Sequence, residues 1–582
     1  MTPESLFFLQ PEAAVHKRYE ALRSFYVEGM TAREVSARFG YTVSTVYALA
    51  RDFKILLTSE QPSSSFFIRP QPGRKEKSLD GSTGKLIVEL RKKYLSVSEI
   101  KAILDSLGEK VSEKYIYNLL VKEGFSRLPR RSNLAYTQTR GTVKLQAAKS
   151  ELLVFHPEEF TTESSIGILC LLPYIQELGI DKLIEQSGYP ETKTIPKLNA
   201  ILSFVALKLS NVRRYTADDL WCMDRGLGLF AGLNVLPKAA WYTSYSHRVT
   251  RNTNLNFLKS LAQIWIEKGL LSDTANLDFT TIPYWGEDDS HLGNNWSGTR
   301  RKALASMLAI FAHDPESGII TYGDTSVRHQ NKELVVLEFL DFYKDAGGEE
   351  LKYLVFDSKF TTYQNLANLD DAGIKFLTIR RRGKNIVERI NAIPDSEKRK
   401  VRVPAGDGKK RLLTVLDEVV FLKDYGDSIR QISISGCGKV KPALIITNDF
   451  DLSVEEVVRK YARRWIVEKT ISEQIEFFHL NKISSSMVIK VDFDLTITIL
   501  THNLYRIFAS DLEGYSSCTP QTLYQKFIHN SGNVKITDHK IIVQMKKKRH
   551  LPTLLTSMER FQDGQIPWLG EKKLVFQGAS IS

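Results

Sequence analysis

Between residues 274 and 379 the chain repeats a pattern that few folds accommodate: short β-branched or aromatic apolar runs, each closed by a turn signal or followed by helical spacing. The run at 276–280 comes first. Segments 304–312 and 319–322 follow, joined by Asp314-Pro315-Glu316-Ser317-Gly318, whose composition marks a hairpin and makes the second and third strands antiparallel. Helical spacing over about 331–345 leads into a strand that ends at Asp357, a helix then runs to about 372, and 374–379 reads as a fifth strand. This order predicts an α/β domain.

Two carboxylates stand at the ends of such strands, Asp278 and Asp357, and a third, Glu468, lies in a helical pattern over about 453–479. Tyr461, Arg464 and Glu468 are spaced i, i+3 and i+7, which puts them on one helix face. Hard divalent cations take oxygen ligands, and two of them can clamp the attacking and leaving oxygens of a phosphodiester. Asp278, Asp357 and Glu468 are therefore the expected catalytic and metal-ligating residues, for two Mg²⁺ or Mn²⁺ ions. Tyr461 and Arg464 are expected to contact DNA phosphates, since the planar guanidinium grips phosphate oxygens while staying charged. The plain alternative is an exposed i, i+4 pair of Arg464 with Glu468, worth a few tenths of a kcal/mol. Adjacent acidic pairs such as Asp218-Asp219, Glu349-Glu350 and Asp370-Asp371 read as solvated surface, and Asp324 is one further candidate for the site. Trp285 and Trp296 flank a polar loop and could stack on an extruded base, although aromatic residues are more often core.

The order strand-Asp, strand-Asp, helix-Glu resembles the ribonuclease H-like core of DDE transposases. More narrowly, Tyr461, Arg464 and Glu468 resemble the Tyr-x2-Arg-x3-Glu part of the signature of cut-and-paste bacterial insertion-sequence transposases, over roughly residues 140–560. The family's Lys, six residues further on, is Ile475 here, with Lys469 and Lys482 nearest, and Lys359 stands where a Gly often follows the second Asp. The resemblance implies a ribonuclease H-like fold that binds the terminal repeats of a mobile element and catalyses metal-dependent strand cleavage and strand transfer. It also implies element ends and target DNA as double-stranded partners, a homodimer in the DNA complex, and a cytoplasmic, nucleoid-associated place of action. Two alternatives stay open: a transposase-derived DNA-binding regulator with an inactive core, and a ribonuclease H-like nuclease without strand transfer.

The 582 residues require several domains, and a formal net charge of +13 favours a polyanionic partner. No apolar span is long enough to cross a bilayer and no signal segment opens the chain, so a membrane is not the expected polyanion. The four cysteines are single and far apart, and the eleven histidines show no i, i+4 ligand pair, so metal binding is expected through carboxylates.

Residues 12–56 read as three helices. Thr31-Ala32-Arg33-Glu34 has the form of a capping box, Gly40 ends that helix, and a new one begins at Thr42. The pattern recurs with the box Ser96-Val97-Ser98-Glu99, a turn at Gly108 and a helix beginning at Ser112. Both have the pattern of a helix-turn-helix, whose second helix can enter a major groove, although small three-helix modules also mediate protein contacts; two in tandem on a basic chain favour DNA. Expected DNA contacts are Thr42, Ser44, Thr45 and Arg51 in the first, and Lys114, Tyr115 and Asn118 in the second. Between them, Arg69 and Arg74 flank a Pro/Gly kink that could lie in a minor groove or serve as a solvated spacer.

The resulting plan has a helix-turn-helix module (1–57), a basic linker (58–84), a second module (85–132) and a helical domain (133–270). The core follows in two parts (271–383 and 449–515) around a β-rich insertion (384–448), and a C-terminal region (516–582) ends the chain. The insertion is inferred because Asp357 and Glu468 are further apart than a helix, a strand and a helix need. Gly226 to Pro237 is glycine-rich but lacks a preceding strand and a Lys-Ser/Thr, and reads as a packed helix connection.

Overall fold

The computed structural model describes residues 2–58, 66, 82–93, 95–125, 149–212, 220–283, 293–297, 302–327, 334–357, 362–404, 410–435, 442–480 and 488–579. They belong to two units, Met1–Leu145 and Gln146–Ser582.

In the first unit both capping boxes form. The Glu34 carboxylate accepts the Thr31 backbone N–H at 2.7 Å, opening the helix Ala32–Phe39, which stops at Gly40 in the left-handed region (φ 63°). The helix Val43–Leu56 starts at Thr42, whose hydroxyl accepts the Thr45 N–H at 3.2 Å. With the helix Ala14–Tyr26 they enclose Ala21, Val35, Phe39 and Val46. The second group repeats this construction. Ser96 and Glu99 open Val97–Ser106, Gly108 turns the chain (φ 79°), and Ser112 caps Glu113–Lys122. Together with Ser82–Lys92 these helices bury Ile87, Ile100, Leu104 and Ile116. A short helix, Pro3–Leu9, precedes the first group and was not expected from the sequence. Arg69 and Arg74 lie outside the described residues.

The described residues of the second unit form two sheets. Strand β1 (Glu158–Thr162) is followed, after a run of helices, by β2 (Thr274–Pro283), β3 (Gly293–Ser297), β4 (Lys302–His313), β5 (Ile320–Val327), β6 (Tyr353–Phe356) and β7 (Lys375–Ile379). Then come β8 (Arg399–Pro404), β9 (Lys410–Leu422), β10 (Asp427–Ser435), β11 (Ala443–Thr447), β12 (Gly532–Ile536), β13 (Lys540–Met545), β14 (Gln565–Ile566) and β15 (Lys572–Gly578). The larger sheet has the order β3-β4-β2-β6-β7-β11-β10-β9-β8, with β5 also on β4.

Its centre, β5-β4-β2-β6-β7, is the ribonuclease H-like arrangement. The first three are antiparallel, and β6 and β7 join in parallel. The parallel connections are made through the helices Val335–Asp345 and Tyr363–Asp371. Both faces of the sheet are covered, so β4 is apolar at every position from Met307 to Ala312 instead of alternating with polar residues. Leu308, Ile310 and Ala312 pack on the side of those two helices, whereas Met307, Ala309 and Phe311 pack with Val467, Ile471 and the helix Val488–Asp511.

Residues after β7 extend the same sheet instead of building a separate one: β11 pairs antiparallel with β7, and β10, β9 and β8 follow outward. Within it, β9 is one continuous strand that passes through the charged pair Asp417-Glu418. The helix Lys384–Ala392 and strand β8 were missed, because their charged residues obscure the buried Ile390, Val401 and Val403. The 133–270 segment is not helical throughout: β1 pairs with β12 at the edge of a five-stranded sheet built with β13, β14 and β15. Gly226 to Pro237 overlaps the helix Arg225–Phe230 and holds a left-handed turn at Gly232 (φ 67°). Among the described residues no helix is long and apolar enough to cross a membrane.

Candidate active site

The parallel pairing of β2 with β6 ends at Leu277 opposite Phe356. Asp278 and Asp357 are the next residues on each chain, so they leave the ladder side by side on strands whose neighbours lie about 4.8 Å apart. Leu277 and Phe356 point into the core beneath Val335–Asp345. Strand alternation therefore turns both aspartates to the opposite face, the one Phe311, the register partner of Asp278, shares with Val467. Over that face run the helices Val454–Arg463 and Trp465–Glu476, the first opened by a Ser453–Glu456 capping box.

The sequence suggested one continuous helix here. Instead it breaks at Arg464, which caps the first helix and begins the second. The break puts Arg464 into the site: it is 7% exposed, its Nη1 donates to Asp278 Oδ2 at 2.7 Å, and its Nη2 donates to Glu468 Oε1 at 2.9 Å. The guanidinium also lies 5.7 Å from the centroid of the Tyr461 ring. An exposed helix pair would show none of this burial, so that simpler reading of Arg464 with Glu468 does not hold.

Electrostatics tie the third carboxylate to the other two. Burial raises the Asp278 pKa; Arg464 and the Phe279 N–H oppose the shift, and the charges of Glu468 and Asp357 add to it. The Tyr461 hydroxyl is pushed up to about 12, chiefly by burial, with Asp357 and Asp278 contributing. Burial works against the Arg464 charge, but Tyr461, Asp278 and Glu468 outweigh it and hold its pKa above the ordinary value. Three carboxylates thus share one field, and two of them, Asp278 and Glu468, share one buried cation.

Among the described residues no three His, Cys, Asp or Glu side chains stand together as a ready metal cage. The donor chemistry nevertheless fits a hard divalent ion: all three groups offer oxygen, their charges raise one another's cost, and a cation, Arg464, already bridges two of them. Asp278, Asp357 and Glu468 are the residues that would hold such an ion.

The remaining expected residues are placed as follows. Ser44, Arg51, Lys114 and Asn118 are exposed, Thr45 and Tyr115 are half-buried, and the Thr42 hydroxyl is engaged as a helix cap. Ile475, at the family's Lys position, packs partly buried against the main core. Lys359, Lys482 and Trp285 lie outside the described residues, and Trp296 falls in β3. Asp324 is buried and held by Arg251, with Tyr322 also donating to it at 3.4 Å. Asp370 is not simply solvated: it accepts from Tyr425 and from Asn448 Nδ2 at 2.7 Å. Sequence reasoning missed Asn276, whose Nδ2 donates to the Arg463 carbonyl at 3.1 Å, and Glu473, whose carboxyl is pushed up to about 7 chiefly by burial. Neither sits in a motif. The only signal for Asn276 was a polar residue inside an apolar strand.

The sheet thus sets Asp278 and Asp357 beside each other at the end of the β2–β6 pairing, with Glu468 on the overlying helix, and this set of oxygen donors has the chemistry that metal-assisted phosphoryl transfer uses. Residues 275–504 match the family model described as the transposase DDE domain, a span that contains Asp278, Asp357 and Glu468. No curated protein matches the chain. Among solved structures, a cryo-EM structure of a piggyBac transposase synaptic complex with hairpin DNA is similar at 10% identity and a TM-score of 0.36, over 62% of this chain and 79% of that one.

Proposed function

We propose that this protein is a DNA transposase that cleaves the ends of a mobile element and joins them to target DNA. The observation that carries the reading is the bridging of Asp278 and Glu468 by Arg464, with Asp357 in the same electrostatic field, inside the segment that matches a transposase DDE domain. Bound there, two Mg²⁺ or Mn²⁺ ions would acidify water and the freed 3′-hydroxyl and offset charge on the scissile phosphate. Asp278 would supply a fixed oxygen from within β2, and Asp357 one from the residue that follows β6. Glu468, its side chain half in solvent, completes the set from the helix. Arg464 neutralises the carboxylates until the site fills and then presents its fork to a phosphate of the cleaved strand, beside Tyr461.

The exposed Ser44 and Arg51 of one helix group, and Lys114 and Asn118 of the other, are the contacts expected with the terminal repeats, aided by Thr42, Thr45 and Tyr115, with Arg69 and Arg74 in the linker reaching a minor groove. Joining two ends in one reaction calls for a homodimer on DNA. The test incubates the full-length protein and Mg²⁺ with labelled duplexes that carry the DNA flanking the coding sequence, resolved on a denaturing gel. Nicks at the element boundary and joined products are expected from the wild type. Asp278→Ala, Asp357→Ala and Glu468→Ala each abolish them while duplex retention stays nearly intact. Retention without any wild-type cleavage would return the DNA-binding regulator, and cleavage without joining the simple nuclease.

A further inference from the structure

We infer that Asn276 is a positioning residue for the carboxylate site, its side-chain amide fixing the break between the two overlying helices and so aiming Arg464 at Asp278. The inference rests on the catalytic reading proposed above. Asn276 is fully buried on β2, two residues before Asp278 and therefore on the same sheet face. Its Nδ2 donates to the carbonyl of Arg463 at 3.1 Å.

The helical ladder tightens at that point. The Arg464 N–H bonds the Tyr461 carbonyl at 3.1 Å, and the Val467 N–H bonds the Arg464 carbonyl at 3.0 Å, both three residues back. A carbonyl at such an interruption needs a donor from elsewhere, and the strand that carries Asp278 supplies one. β2 thus holds the segment at two successive residues: Asn276 on the backbone of 463, Asp278 on the guanidinium of 464. The Arg463 side chain ties the same point to the β4–β5 turn, through Pro315 O at 2.9 Å and the Glu316 carboxylate. Functional groups must be held within about 0.5 Å of productive geometry, and a helix break without anchors does not meet that tolerance.

The other half of the amide argues against a packing role. Asn276 Oδ1 has no hydrogen-bond partner, nor has either ring nitrogen of His313, the residue opposite it on β4. A buried amide with one half unsatisfied is costly, so as filler an apolar side chain of similar size would serve as well or better. What leucine lacks is the donor to Arg463.

The test compares full-length wild type with Asn276→Leu, and with Asn276→Ala should the leucine variant not fold. Thermal midpoint, affinity for a labelled duplex of the flanking DNA, single-turnover cleavage rate at saturating duplex, and the Mn²⁺ concentration giving half-maximal rate are measured. The expected result is a midpoint equal to or above the wild type for leucine and duplex affinity within about twofold. Cleavage falls by about tenfold or more, and the half-maximal Mn²⁺ concentration rises several-fold. A folded variant that cleaves within about twofold of the wild type at the same Mn²⁺ requirement overturns the role of Asn276 alone. Absence of cleavage by the wild type overturns the catalytic reading, and this inference with it.

Discussion

Lys208 and Arg464 are both buried cations facing carboxylates on another element, yet their surroundings differ in balance. Lys208, on the helix Lys197–Leu209, donates to Asp494 of Val488–Asp511 at 2.7 Å and to the Phe478 carbonyl at 2.9 Å, with both charged side chains under a tenth exposed. Arg464 answers two carboxylates within the field of a third, and one of them, Glu468, keeps half its side chain in water. The first is a closed unit that fixes how two helices meet. The second carries surplus negative charge and an open side, which suits it to take up a cation from solution.

Removing the cation from each site tests that difference most severely. Arg464→Met and Lys208→Met should each lose about 3–5 kcal/mol in chelated buffer, the arginine variant at the lower end because Glu468 remains half solvated. Millimolar Mn²⁺ should restore much of the loss in Arg464→Met and none in Lys208→Met. Equal responses of the two variants in urea melts would end the distinction.

A milder change probes what the fork contributes. Arg464→Lys keeps the charge but reaches a single carboxylate, so cleavage should fall by about tenfold or more with a stability cost of about 1 kcal/mol. A wild-type cleavage rate in this variant would leave Arg464 as a structural counterion only.

Glu473 shows a third way of keeping a carboxyl inside, by holding its proton. Burial pushes it up to about 7, with Lys469 and Arg506 opposing and Glu476 adding, and His502 Nδ1 lies 4.0 Å away. Because the folded pKa exceeds the unfolded one, the folded state retains a proton that the unfolded chain loses between about pH 4.5 and 7. Its stabilisation is complete below that window and lost as pH rises through it. Glu473→Gln should therefore gain on the wild type between pH 5 and pH 8, by about 1–3 kcal/mol at most. His313 and His502, both depressed to about 3 chiefly by burial, act in the opposite direction below about pH 6.5 and cancel in the difference between the two proteins. Parallel melting curves across this range would show that Glu473 is ionised in the fold.

The central strands were legible because apolar runs and turn residues are local signals: the β4–β5 hairpin follows from the Asp314 to Gly318 turn, and β11 from five consecutive apolar or β-branched residues. The capping boxes at Thr31 and Ser96 were legible for the same reason. What the sequence hid was set by tertiary partners. The break at Arg464 has no glycine or proline to announce it, since it depends on Asn276, a residue far away in the chain. Strand β1 is short, largely polar and half exposed, and acquires its identity only from β12.

That last pairing has a consequence for synthesis. Thr161 of β1 and Asn533 of β12 are joined by a side-chain hydrogen bond across 372 positions. At about 5–20 residues per second, β1 emerges from the ribosome roughly 20–75 s before the strand that completes it. During that interval it is an unsatisfied strand edge, open to the wrong neighbour. A chain interrupted after the carboxylate helix would carry every expected ligand and still lack the sheet that closes its own core, so premature termination should yield insoluble fragments in place of small active enzymes.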